Sequence, residues 1–168
     1  MKKNKLISIL IPLYNEEESI KILYSEIIDN LKDYNFEIIF INDGSFDNSL
    51  NIIKSLIGKN NVHVIDLYKN YGKSAALSEG FKYSNGDYIV TLDADLQDNP
   101  LEIPKLLNTL IDSDFDIISG WKKDRKDPIS KRLPSKIFNM ITRLFSGIKI
   151  HDFNCGLKAY RSKVIKSL

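Results

Sequence analysis

Asp93-Ala94-Asp95 is the segment of this sequence best suited to chemistry. It follows an apolar run that ends Val-Thr-Leu92. Two carboxylates at positions i and i+2 can converge where a strand ends and the backbone turns. Together they make a hard, oxygen-rich site suited to Mg²⁺ or Mn²⁺. Such an ion bridges phosphate oxygens and neutralises charge on a departing diphosphate. The bland alternative is a solvated acidic turn, but the position after a buried strand favours the metal site. Gln97 and Asp98 extend the polar cluster toward the same ion.

Other polar groups also stand at strand ends. Asp43, in Ile41-Asn-Asp-Gly-Ser45, can accept hydrogen bonds from a base or a ribose. It or Ser45 can equally cap a following helix, with Gly44 making the turn. Tyr14, Asn15 and Glu16 follow the first apolar run. Here Asn15 as cap with Glu18 as its capping-box partner is the structural alternative. Lys73, in Lys69-Asn-Tyr-Gly-Lys73, opens a helix and suits an anion, or is simply solvated. No G-x-G-x-x-G or G-x-x-x-x-G-K-[ST] pattern occurs, which weakens dinucleotide and P-loop readings. Arg125 and Arg132 carry planar donor forks suited to phosphate, or decorate a plain solvated loop. His63 reads as structural within a strand. It and His151 lie too far apart for a zinc signal. Asp152 is a metal partner, a base or a turn residue, and Cys155 a small packed residue.

These residues need elements to position them. Leu6–Leu13, Phe36–Ile41, Val62–Leu67, Asp87–Leu92 and Phe115–Ser119 read as strands. Cys155–Tyr160 reads as a further strand. Helical spacing runs from Asn15 through Leu31, over 46–57, over 73–84 and from Pro100 to about Ile111. Another helix is expected from Pro134, ended by Gly147. The alternation predicts an α/β fold with a mostly parallel sheet flanked by helices. Ligands then bind beyond the carboxyl ends of the strands, where the polar residues gather.

Composition sets the outer bounds. The 168 residues suffice for one domain with a buried core, and 43% are hydrophobic. This excludes a disordered tail or a disulfide mini-protein. One cysteine and no signal-peptide pattern favour a reducing, cytoplasmic location. No apolar run approaches the ~20 residues of a membrane span. The net charge of +2 hides a split. Residues 1–100 carry 10 Lys+Arg against 15 Asp+Glu; from Trp121 onward there are 13 against 3. The basic segment suits anionic lipid or a phosphate. It lacks a nucleic-acid motif, so nucleic acid is not an expected partner.

The ordered set of motifs resembles the family 2 glycosyltransferases of GT-A (Rossmann-like) fold. The likeness is to the branch of dolichol-phosphate mannosyltransferase and undecaprenyl-phosphate glucosyltransferases. It rests on Ile11–Glu17, Ile41–Ser45, Asn70–Lys73, Gly86–Asp98, Gly120–Arg132 and Asp152–Arg161. The resemblance implies that Pro12, Tyr14, Glu16, Asp43 and Ala94 hold the nucleotide sugar, with Lys73 nearby. Asp93 and Asp95, with Gln97, would bind Mg²⁺ or Mn²⁺ and the diphosphate. Asp95, Arg125 and Arg132 would be the catalytic set, the arginines meeting the sugar or the acceptor phosphate.

The implied reaction moves one sugar, with inversion, from a UDP- or GDP-linked donor to a polyprenyl phosphate at a membrane surface. The implied domain is one GT-A unit over 1–168. Its nucleotide and metal part spans 1–98, and an incomplete acceptor side spans 99–168. Members of the branch continue for tens of residues, sometimes into transmembrane helices, so the expected unit is C-terminally truncated. The full protein would then be peripheral to, or anchored at, the cytoplasmic membrane, and a homo-oligomer is compatible with the sequence. Lys122 and Lys123 depart from the family by standing where an arginine is common. The rivals are a soluble transferase acting on a glycan or protein, a non-catalytic sugar-nucleotide-binding module, and a nucleotidyltransferase. The last usually carries a Gly/Arg-rich loop after its first strand, which Tyr14–Glu18 is not.

Overall fold

The β-branched runs pair into one six-stranded sheet. The structure is a computed structural model that describes residues 5–120 and 155–167. Its strands are β1 (Leu6–Leu13), β2 (Asn35–Asn42), β3 (Val62–Asp66), β4 (Tyr88–Thr91), β5 (Ile117–Ser119) and β6 (Lys158–Arg161). Their spatial order is β3-β2-β1-β4-β6-β5. The first four are parallel, while β6 runs antiparallel to both β4 and β5. The helices are α1 (Ile20–Leu31), α2 (Ser49–Lys54), α3 (Lys73–Tyr83), α4 (Ile103–Asp112) and a short α5 (Ser162–Ile165). The expected α/β class and mostly parallel sheet are observed. The expected helix after Pro134, and Arg125, Arg132, His151 and Asp152, lie outside the described residues.

Alternation along the strands divides the core between two faces. Ile7, Ile9, Ile11 and Leu13 of β1, with Ile38 and Phe40 of β2, join Leu23 and Ile27 of α1 and Leu107 of α4. Leu10, Ile39, Ile41 and Ile89 face the other way, onto Ala76 of α3. Tyr160 of β6 packs against this smaller cluster, its ring edge-on to Phe81 of α3. Burial pushes the Tyr160 hydroxyl above the usual tyrosine range, partly offset by a hydrogen bond with Thr91.

Several boundaries differ from the sequence expectations, each for a local reason. The first helix starts at Ile20, not at Asn15. Asn15 sits in the left-handed region (φ 57°) and caps no helix. Its Oδ1 accepts from Phe46 N–H, and its own N–H donates to Ser45 Oγ. The second helix is shorter than 46–57, spanning Ser49–Lys54; Asp47, just before it, accepts from the N–H groups of Glu17 and Ser49. Pro100 opens a 3₁₀ turn, capped by Asn99 accepting from Leu101 N–H, before α4 begins. The last strand begins at Lys158, after Cys155-Gly156 has been used at the sheet's carboxyl end.

The amino end of the parallel strands holds a buried polar cluster. Glu37 Oε1 accepts from the Ser8 hydroxyl and from Asn85 N–H. His63 Nε2 lies 3.5 Å from Glu37 Oε2, so the histidine is structural. Ser8 Oγ in turn accepts from Gly86 N–H. Replacing Glu37 with Ala leaves the buried Ser8 hydroxyl, and Asn85 N–H, without their acceptor. It is expected to cost about 3 kcal/mol in urea unfolding. The cleft described next should be unaffected, because the cluster lies at the far end of the sheet from it.

Candidate active site

In a parallel sheet the carboxyl ends of neighbouring strands open a crevice where the strand order reverses. Here that point lies between β1 and β4, with β2 and β3 on one side and β6 on the other. A cleft of about 250 Å³ opens there. It is lined by Pro12 and Leu13 at the end of β1, by Tyr14 and Glu16 just after it, and by Asp43 after β2. Asn70 and Gly72 before α3, Lys73 as its first residue, and Asp93, Ala94 and Asp95 after β4, complete it. Pro12, Tyr14, Glu16, Asp43, Lys73, Asp93, Ala94 and Asp95, all named from sequence, thus come together in one place.

Asp43 does not cap the following helix, whose N-cap is Asn48. Asp43 is 4% exposed, and its carboxylate is aimed at the β3–α3 loop. Oδ1 accepts from Tyr71 N–H at 2.8 Å and Oδ2 from Gly72 N–H at 2.9 Å. Gly44 brings the two loops into backbone contact. A Cβ there would sit under 3.0 Å from Lys69 C and Cα and from Asn70 N, and its φ of +69° favours glycine. The loop that delivers Lys73 is therefore fastened to the end of β2.

The β1 side is fixed by the Asn15–Ser45 and Asn15–Phe46 hydrogen bonds. Ser49 Oγ accepts from Glu16 N–H, and Ser19 Oγ donates to Glu16 Oε2. Tyr14 presents its ring to the cleft and meets Phe46 edge-on, centroids 5.9 Å apart. Burial pushes the nearby Asp47 carboxyl up. Hydrogen bonds from the Ser49 side chain and N–H and from Glu17 N–H outweigh this, so Asp47 sits below the usual carboxylate range.

Asp93 forms an ion pair with Lys73. On its other side it meets a residue that sequence reasoning passed over. A Cβ at Gly156 would lie under 3.0 Å from Cγ and both carboxylate oxygens of Asp93. The signal was available, because a glycine beside a strand marks close approach of another group. Thr91 Oγ1 donates to the Gly156 carbonyl at 2.7 Å and holds that backbone in place. Asp95 Oδ1 accepts from Gln97 N–H. Gln97 itself lies outside the cleft lining, and Asp98 is buried with Cys155 Sγ 4.0 Å from its Oδ1.

Among the described residues no three His, Cys, Asp or Glu side chains group as a metal-binding cluster. The donor set is two carboxylates beside open space. That fits Mg²⁺ or Mn²⁺, which bind through one or two carboxylates and complete their shells with phosphate oxygens and water. Among the described residues no helix is long and apolar enough to cross a membrane.

The sequence model of glycosyl transferase family 2 matches residues 8–168. The chain is 38% identical to an undecaprenyl-phosphate 4-deoxy-4-formamido-L-arabinose transferase of Shewanella sediminis, covering 100% of this chain and 53% of that protein. It is 32% identical to a dodecaprenyl-phosphate galacturonate synthase of Rhizobium johnstonii, covering 96% and 49%. The chain thus spans about half the length of the curated relatives it matches. The fold is shared with glucosyl-3-phosphoglycerate synthase from Mycobacterium tuberculosis, solved with Mn²⁺, UDP and phosphoglyceric acid. That likeness has a TM-score of 0.78 at 19% identity, over 98% of this chain and 58% of that one. The chain belongs to glycosyl transferase family 2.

Proposed function

We propose that the protein transfers a sugar from a nucleoside-diphosphate donor to a polyprenyl phosphate, with inversion at the anomeric carbon. The observation that carries this is the single cleft gathering Tyr14, Glu16 and Asp43 with Lys73, Asp93 and Asp95. Two relatives named for undecaprenyl- and dodecaprenyl-phosphate products support the acceptor class. A fold neighbour solved with Mn²⁺ and UDP supports the donor class and the metal.

The side chains divide the work. Tyr14 offers a ring face to the base, and Asp43 holds the β3–α3 loop against the nucleotide end of the cleft. Lys73 offers a cation to the diphosphate, and Asp93 and Asp95 offer carboxylate oxygens to Mg²⁺ or Mn²⁺. The metal, when bound, neutralises charge on the leaving nucleoside diphosphate. A polyprenyl phosphate is already anionic at neutral pH, so the nucleophile needs orientation more than a general base. Arg125 and Arg132 are proposed for that orientation. A lipid acceptor places the protein at the cytoplasmic face of a membrane, peripherally or by an anchor.

The test is extraction of labelled product into organic solvent. The full-length protein is incubated with labelled UDP- and GDP-sugars and undecaprenyl phosphate. A lipid-soluble product that is lost on Asp95→Ala is expected, with a rate drop of at least about 100-fold. Label transferred only to a water-soluble glycan would overturn the lipid acceptor. Label transferred to nothing would leave a binding module.

A further inference from the structure

Lys73 is the one cationic side chain among the described residues lining the cleft, set against Glu16, Asp43, Asp93 and Asp95. It is paired with Asp93, a carboxylate that the glycosyl-transfer reading gives to the divalent cation. A carboxylate in contact with an ammonium cannot take a second cation there without moving the first or bearing its repulsion. We propose that Lys73 is a positioning residue that holds the cation's place beside Asp93 until the donor diphosphate draws it away. Metal and nucleotide then enter as a coupled pair. This inference rests on the glycosyl-transfer reading above.

The geometry assigns the movable part to the lysine. Its backbone is fixed because it opens α3 next to Gly72, whose N–H donates to Asp43. Its side chain is 49% exposed, on a flexible stem that carries a compact charge. Asp93 is 23% exposed and has Gly156 against its carboxylate. An arriving diphosphate gives Lys73 a second anionic partner within the same cleft. Releasing Asp93 then costs little, because the lost pair is replaced rather than broken. Metal alone must displace Lys73 with no such replacement, and a nucleotide alone meets four carboxylates with one lysine. Each ligand therefore raises the affinity of the other.

The experiment titrates Mn²⁺ into the full-length protein and follows the free-ion paramagnetic resonance signal. It is run without nucleotide and with UDP or GDP, each corrected for Mn²⁺ binding to the nucleotide alone. Wild type should bind Mn²⁺ weakly alone and more tightly with the nucleotide. Lys73→Met should bind Mn²⁺ alone about fivefold more tightly, the scale of one partly exposed ion pair. The enhancement by nucleotide should shrink by a similar factor. Lys73→Arg keeps the charge and should behave as wild type. Adding Asp93→Asn to Lys73→Met should erase the gain, and thermal unfolding checks that each variant folds. If Lys73→Met binds Mn²⁺ no more tightly while wild type keeps its nucleotide-linked binding, the inference fails and the functional reading stands. If wild type binds no Mn²⁺ with either nucleotide, the functional reading itself fails.

Discussion

Gly156→Ala is expected to lower Mn²⁺-dependent nucleotide binding at least about tenfold although Gly156 donates nothing to the ligand. The added methyl would occupy the space of the Asp93 carboxylate, under 3.0 Å from all three of its terminal atoms. The backbone cannot retreat easily. Its carbonyl is held by Thr91 Oγ1, and β6 follows at once in register with β4. The aspartate has little freedom either, its carboxylate being a single methylene from the backbone and paired with Lys73. Something must turn, and the Asp93 side chain is the lightest piece. Overpacking of this kind costs about 1–3 kcal/mol, so the variant should still fold. Calorimetry with UDP and Mn²⁺, alongside thermal unfolding, checks both halves. Unchanged affinity with unchanged stability would show that the carboxylate sits elsewhere when ligand is bound.

Asp43→Ala should strike both stability and binding. The buried carboxylate takes two backbone N–H groups from one loop. Gly72 N–H keeps a second acceptor in Asn70 Oδ1, whereas Tyr71 N–H loses its acceptor. A hydrogen bond to a charged group is worth about 1.5–3 kcal/mol, so a loss near 3 kcal/mol is expected in denaturant unfolding. Nucleotide affinity should fall at least about tenfold, because Lys73 and Asn70 are delivered by the freed loop. Asp43→Asn should fall between, since its amide presents a donor where one acceptor stood. A variant that keeps nucleotide affinity while losing stability would show that the Asp43 hydrogen bonds are not needed to present Lys73 to the ligand.

The sequence announced the elements and most of the cleft because their signals are local. β-branched runs, Pro100 and the polar residues just after each apolar run need no tertiary knowledge. Asp93 and Asp95 stood out by spacing, and Tyr14, Glu16 and Asp43 by their place after strands. What stayed hidden depends on contacts between distant segments. Asn15 looked like a helix cap because the capping pattern is local. Its actual partners, Ser45 and Phe46, lie some thirty residues away. The purpose of Gly156 is set by a side chain more than sixty positions earlier. The antiparallel turn of β6 follows from pairing with β4 and β5, which apolar pattern alone does not encode.

The unequal division of the core has a mechanical consequence. The β1 and β4 ends of the cleft are backed by the large cluster, which α1 and α4 clamp from one face. Lys73 rides instead on α3, over a cluster of only five fully buried residues among those described. Elements with less buried apolar contact open at lower free energy. The cleft thus works as a vice with one jaw bolted down and one sprung. Amide hydrogen exchange should run faster along α3 than along β1, and slow in α3 first when nucleotide binds.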